Sequence, residues 1–217
     1  LANQRKRQGY RRKQQNNGLL GVLITLLILL IAIFGVVRGF EYHEASLQQA
    51  AIDSSKAVRE KEQREKTAFI NKIAPYAKQL YQTYHILPSI TIAQAILESD
   101  WGKSRLASEY NNLFGVKSTD PNNSKVLDTQ EYVDGAWQTV KGRFQVYDSY
   151  DASLLAHAKL LAGGTSWNQD QYTHVVNATD YVSAANGLQQ DGYATDPGYA
   201  KKIIQIIDKY KLTQYDT

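Results

Sequence analysis

A glutamate at the end of an apolar helix is the part of this chain best suited to proton chemistry. In the stretch Ala93-Gln-Ala-Ile-Leu-Glu-Ser-Asp-Trp-Gly-Lys-Ser-Arg105, Glu98 follows an apolar run and precedes Trp101 and Gly102. Pro88 and Ser89 open the helix, Ile92, Ala93, Ile96 and Leu97 recur as its core-facing stripe, and Gly102 is expected to end it. At about 100° per residue, Glu98 falls with Thr91 and Gln94 on the opposite side, which is expected to look into solvent or a cleft. Most glutamates on a polar helix face are merely solvated. Two features point further. The partial negative charge of a helix C-terminus disfavours ionisation, and Trp101 is placed to shield the carboxyl from water, so both push its pKa upward. A carboxylic acid still protonated near neutral pH is what glycoside cleavage needs to protonate the leaving oxygen.

A second acidic position lies on a strand. Val126 to Val133 and Trp137 to Tyr147 read as strands flanking Asp134-Gly135, a hairpin signal. Period two puts Glu131 on one face with Leu127, Thr129 and Val133, where it is either a rim residue or a functionally placed charge. Other chemistries find little support. His43, His85, His157 and His174 are scattered without paired-ligand spacing, so no metal or other cofactor is expected, and His157 is expected to pack on its helix. Cysteine is absent, which excludes disulfides and thiolate sites. Ser99 lacks the GxSxG elbow of serine hydrolases. Tyr110, Trp137, Trp167, Tyr172 and Tyr193 are either core aromatics or, on a polysaccharide groove, stacking platforms for sugars.

The string Ala93 to Ala107, followed by Asn111-Asn-Leu-Phe-Gly-Val-Lys117, resembles the glucosaminidase domain of glycoside hydrolase family 73, the bacterial peptidoglycan β-N-acetylglucosaminidases. Thr129-Gln-Glu-Tyr-Val-Asp-Gly135, Phe144-Gln-Val-Tyr-Asp-Ser149 and Gly192-Tyr-Ala-Thr-Asp-Pro-Gly-Tyr-Ala200 are similar to further segments of that domain, in the same order. Together they cover roughly residues 67 to 212. The resemblance implies a mainly α, α+β fold: a lysozyme-like helical domain with a small β-hairpin lobe. It implies an endo-acting hydrolase of peptidoglycan glycan strands that cleaves after N-acetylglucosamine, with Glu98 as general acid, Glu131 as the second acidic residue and Tyr193 as a tyrosine of the active site. Gln94, Trp101, Asn112, Phe114, Trp137 and Tyr172 are assigned to substrate binding. Asp100 departs from the pattern, standing where the family often has a small residue; positions two apart on a helix do not face each other, so its effect on Glu98 is expected to be modest. A lytic transglycosylase and an inactive wall-binding scaffold are the alternatives, and the presence of both Glu98 and Glu131 argues against the scaffold.

The elements that must position these residues make up the rest of the chain. Phe69 to Tyr84 reads as a helix with Ile73, Ala77, Leu80, Tyr81 and Tyr84 on one side and a kink or fresh start at Pro75. Asp151 to Leu161 is a further helix. Asp196 and Pro197 resemble an N-cap and first helical position before a helix that buries Ile203, Ile204, Ile206 and Ile207.

Ahead of this 67–217 domain, Gly18 to Val37 is an uncharged apolar run of 20 residues; as a helix it spans about 30 Å, the thickness of a bilayer core. Arg5, Lys6, Arg7, Arg11, Arg12 and Lys13 precede it with no acidic residue, so residues 1–17 are expected in the cytoplasm and everything after 37 outside. The run is longer than the apolar core of a cleaved signal peptide, which favours an uncleaved anchor. Without those six charges the net charge of +4 becomes −2, so the basic balance is a matter of membrane orientation and contact with anionic lipid, not of nucleic acid. Residues 38–66 have the composition of a solvated helical stalk. The expected partners are glycan strands and membrane lipid, with a membrane-protein partner as a further possibility.

Overall fold

The computed structural model describes the backbone of residues 2–133 and 136–217 and the side chains of 18–129 and 138–217. Two compact units divide the chain at residues 62 and 63. The first consists of helix α1 alone, which as an element runs Ala2–Tyr84. Its side chains from Leu19 to Val37 are exposed, and the helix is long and apolar enough to cross a membrane.

The second unit starts with the remainder of α1. Ile73, Ala77 and Leu80 are buried, as their spacing predicts. Pro75, through which α1 continues, does not mark a fresh start. It lies on the exposed face, as does Asn71 four residues earlier, so the carbonyl that proline cannot pair is open to water. The order then continues with α2 (Pro88–Ser99), α3 (Arg105–Tyr110), the antiparallel strands β1 (Ser124–Val133) and β2 (Ala136–Gln145), α4 (Tyr150–Gly163), α5 (Thr173–Val176), α6 (Tyr181–Gln190), α7 (Tyr199–Tyr210) and a closing 3-10 turn (Leu212–Tyr215). The strand register ends with Val133 opposite Ala136; Asp134 and Gly135, the expected hairpin turn, lie outside the described residues.

Helix α2 is the axle of this unit. It packs against α6, α7 and the 3-10 turn and is buried from Pro88 to Ile96. At Thr91 and Gln94 its polar side is therefore not a cleft wall: they are 3% and 0% exposed. A helix enclosed on all sides uses its few polar residues for internal bonds rather than for solvent contact. Ile90 and Ile92 of α2, Leu188 of α6 and Ile203 and Ile207 of α7 are all fully buried, each worth about 1.5–3 kcal/mol. Ile204 and Ile206 are only half-buried, since four isoleucines within five positions cannot all face one side of a helix. Helix α7 also starts later than its sequence suggests. Asp196 instead accepts the Gly198 amide at 2.8 Å in the preceding turn, and Tyr199 is the first helical residue.

Candidate active site

Glu98 occupies the last turn of α2, and the chain beyond it ends the helix abruptly. Asp100, Trp101 and Gly102 all have positive φ, at 49°, 61° and 73°. The helix therefore stops at Ser99 and not at Gly102. Two adjacent non-glycine residues in the left-handed region cost energy and persist only where their surroundings fix them. Here Ser99 does so, its Oγ donating to the Ala95 carbonyl at 2.5 Å and accepting the Gly102 amide at 2.7 Å. Gly102 cannot be replaced freely, because a Cβ would sit 2.8 Å from both the Phe69 ring and the Tyr150 hydroxyl. Asp100, the departure from the family pattern, has left the helix and caps it.

An open groove of about 390 Å³ runs past Glu98, lined on one side by Ser104, Arg105 and Leu106 at the start of α3 and on the other by Leu127, Asp128 and Thr129 of β1. Gly115 and Phe144 complete it. Phe144 lies over Gly142, where a Cβ would come 2.7 Å from the ring.

By surface area Glu98 is exposed. The protein packed around its carboxyl nonetheless raises its pKa by desolvation, opposed by a hydrogen bond from Tyr199 and the charge of Lys202. Tyr199 Oη donates to Glu98 Oε1 at 2.8 Å and accepts from Gln94 Nε2 at 3.1 Å. Lys202, one turn along α7, is held by Asp196 Oδ2 at 2.6 Å. The Trp101 ring has its partners elsewhere. It packs edge-on against Phe69 and Tyr210, with ring centroids 6.2 and 4.7 Å away, and lines a separate groove with Ile96, Leu97 and Lys209.

Tyr193 rests on an aromatic bed. Tyr199 stacks on it at 5.7 Å, His157 meets it edge-on at 5.8 Å and Tyr172 lies tilted at 6.0 Å. Burial, and next the nearby Glu98 charge, push its hydroxyl well above the ordinary tyrosine range, so it remains a donor. His157 stacks on Phe114 at 3.8 Å, and burial lowers its pKa to about 3. It is neutral and serves as packing, its ring partners Phe114 and Tyr193 lying on other segments rather than on its own helix.

The other substrate-binding assignments divide by burial. Gln94, Asn112, Phe114 and Tyr172 are buried and do not line the groove. Asn112 is the clearest case: its side chain donates to the Val116 and Gln145 carbonyls, both at 2.9 Å, and accepts the Val116 amide at 3.0 Å, tying the loop after α3 to β2. The side chains of Glu131 and Trp137 lie outside the described residues, although their backbones belong to β1 and β2. Sequence reasoning missed Tyr199, which sits in the same string as Tyr193, and missed Lys202 and Phe144. A tyrosine heading a helix carries no sign that it will meet a carboxylate 101 positions earlier.

Residues 74–212 match the Glucosaminidase family, described as mannosyl-glycoprotein endo-beta-N-acetylglucosaminidase. The exo-glucosaminidase LytG of Bacillus subtilis is 48% identical over 152 residues, 70% of this chain and 54% of that protein. A probable N-acetylmuramidase of Lactococcus lactis is 39% identical over 177 residues, 80% of this chain and 39% of that protein. The chain thus spans about half, or less, of the length of these relatives. Among solved structures, the catalytic domain of the autolysin Auto from Listeria monocytogenes superposes with a TM-score of 0.66 at 40% identity, covering 70% of this chain and 88% of that one. These matches establish that the chain belongs to the glucosaminidase family, glycoside hydrolase family 73.

Proposed function

We propose that the protein is a peptidoglycan hydrolase, an endo-β-N-acetylglucosaminidase that cleaves the glycan strand after N-acetylglucosamine during wall remodelling or cell separation. The observation that carries this reading is Glu98: open to a groove, raised in pKa by desolvation, and oriented by the Tyr199 hydroxyl. It donates its proton to the bridging oxygen as the anomeric carbon gains oxocarbenium character. Tyr193, kept protonated, stabilises or orients the reacting sugar. Glu131 takes the role of second carboxylate on the strength of the resemblance and of its period-two relation to Leu127 and Thr129, which line the groove. It either activates water, giving inversion, or supports attack by the substrate's own 2-acetamido group, giving retention.

The N-terminal helix fits a single-pass anchor with residues 1–17 in the cytoplasm and the 63–217 unit outside, where peptidoglycan is. Membrane lipid is then the partner of the apolar run, and anionic headgroups that of the basic cluster.

The names of the two relatives favour two variants of the same chemistry: release from a chain end, as in an exo-glucosaminidase, and cleavage after muramic acid. Digestion of purified peptidoglycan followed by mass spectrometry of the products tests all of these. Internal fragments with reducing N-acetylglucosamine ends are expected. Single sugar units, reducing muramic acid or 1,6-anhydro ends each point to a different activity, and intact strands would overturn the proposal.

A further inference from the structure

Trp167 stands 81% exposed on the loop between α4 and α5, whereas the other exposed large hydrophobics among the described side chains of this unit, Val126 and Val182, are at 44% and 40%. A lone exposed apolar residue ordinarily needs no explanation. This one is held out by a tightly built loop. Gly164 adopts φ +67°, and a Cβ there would lie 2.3 Å from the carbonyl oxygens of Asn168 and Gln169, so the turn requires glycine. Thr165 and Asn168 exchange backbone hydrogen bonds of 2.9 and 3.2 Å, leaving Ser166 and Trp167 at the tip. Thr165 Oγ1 donates to Gln171 Oε1 at 2.8 Å, and Gln171 Nε2 donates to the Asp191 carbonyl at 3.2 Å. The loop is therefore braced against the segment that carries Tyr193. Tyr172, next to Gln171, packs on Tyr193 itself.

A groove of about 390 Å³ lies at the lower end of the range for small-ligand sites, so a polymeric strand must run beyond it. We propose that Trp167 is a distal subsite of the glycan-binding surface, its indole stacking on the apolar face of a pyranose ring outside the groove. The inference rests on the glycosidase reading above. An aromatic side chain presented by a rigid loop loses little freedom on binding and offers a large flat contact. The surrounding residues suit sugar hydroxyls better than lipid: from Gly164 to Gln171 the loop carries serine, threonine and amide side chains, one aspartate and neither lysine nor arginine. Anionic headgroups attract basic segments, which this loop is not.

The test compares the full chain in detergent with Trp167→Ala and Trp167→Tyr, on long uncrosslinked glycan strands and on short oligosaccharides. For Trp167→Ala the loss is expected in KM, about tenfold for long strands and smaller for short ones, with kcat changed less than threefold; Trp167→Tyr recovers most of it. Quenching of indole fluorescence by long strands is expected to fall in Trp167→Ala while the remaining tryptophans still report the fold. Equal effects on long and short substrates, or no effect on either, would overturn the subsite while leaving the glycosidase reading intact. So would unaltered glycan cleavage together with lost vesicle binding. If the unsubstituted protein cleaves no glycan, the subsite falls together with that reading.

Discussion

The hydroxyl of Tyr199 donates to Glu98 Oε1 at 2.8 Å, linking the first turn of α7 to the last turn of α2. The same hydroxyl accepts from Gln94, one turn earlier on α2, so a buried amide orients the tyrosine that orients the acid. The bond favours the carboxylate, while desolvation, the larger effect, favours the protonated acid. The net effect is a pKa above the usual glutamate range.

Tyr199→Phe removes the bond that lowers the Glu98 pKa, so that pKa rises further. In the proposed role Glu98 works when protonated, and the rate falls as pH rises through its pKa. The alkaline limb of the pH profile of kcat/KM is therefore expected to move to higher pH in the variant, and a limb that stays put would dissociate Tyr199 from the acid. Gln94 Nε2 also loses its partner, with an expected cost of about 1–3 kcal/mol in thermal unfolding.

Glu98→Gln keeps the shape of the side chain but cannot donate the proton, and cleavage is expected to fall by about 10²–10⁴-fold or to vanish. Its stability should respond in the opposite sense. A carboxyl whose folded pKa lies above its unfolded value contributes stability that is fully present below the unfolded pKa and is lost as pH rises through the folded one. Tm of the variant relative to the parent is therefore expected to be higher at neutral pH, the difference shrinking on acidification. Glu131→Gln is expected to lose most of the rate with little change in Tm; a normal rate would assign that carboxylate to the rim.

Gly142→Ala tests the hairpin wall of the groove. The added methyl would approach the Phe144 ring at 2.7 and 2.9 Å and Thr129 Cγ2 at 3.2 Å. The ring lines the groove and is 7% exposed, so it has little room to retreat. Overpacking of this kind costs about 1–3 kcal/mol. A lower Tm and a lower kcat/KM are expected together, and a variant matching the parent in both would show that Phe144 moves freely.

The anchored topology predicts two separable behaviours. In cells stripped of wall, protease added outside is expected to digest the unit from residue 63 onward, and the chain is expected to stay in the membrane fraction at high salt. Salt screens a basic segment held only by lipid charge, whereas it does not release an apolar span. Release of full-length protein by salt, or protection of the unit from external protease, would defeat the model.

The sequence alone determined what depends on local order. The apolar run of residues 18–37, the two strands and α4 are legible in periodicity to within a few residues of their observed bounds. The position of Glu98 on its helix was legible for the same reason, and the strings around it carried the family. Tertiary structure decided which side of α2 is a cleft. Thr91 and Gln94 share the polar arc with Glu98, yet α6 and α7 close over them and leave only the last turn open. It also decided what each side chain meets: Trp101, three positions beyond Glu98 and in the left-handed region, packs on Phe69 and Tyr210, while Tyr199 reaches the Glu98 carboxyl from a distant helix. Pairings of that kind depend on how helices pack against each other, and a one-dimensional pattern records only which face a residue occupies, not what will come to cover it.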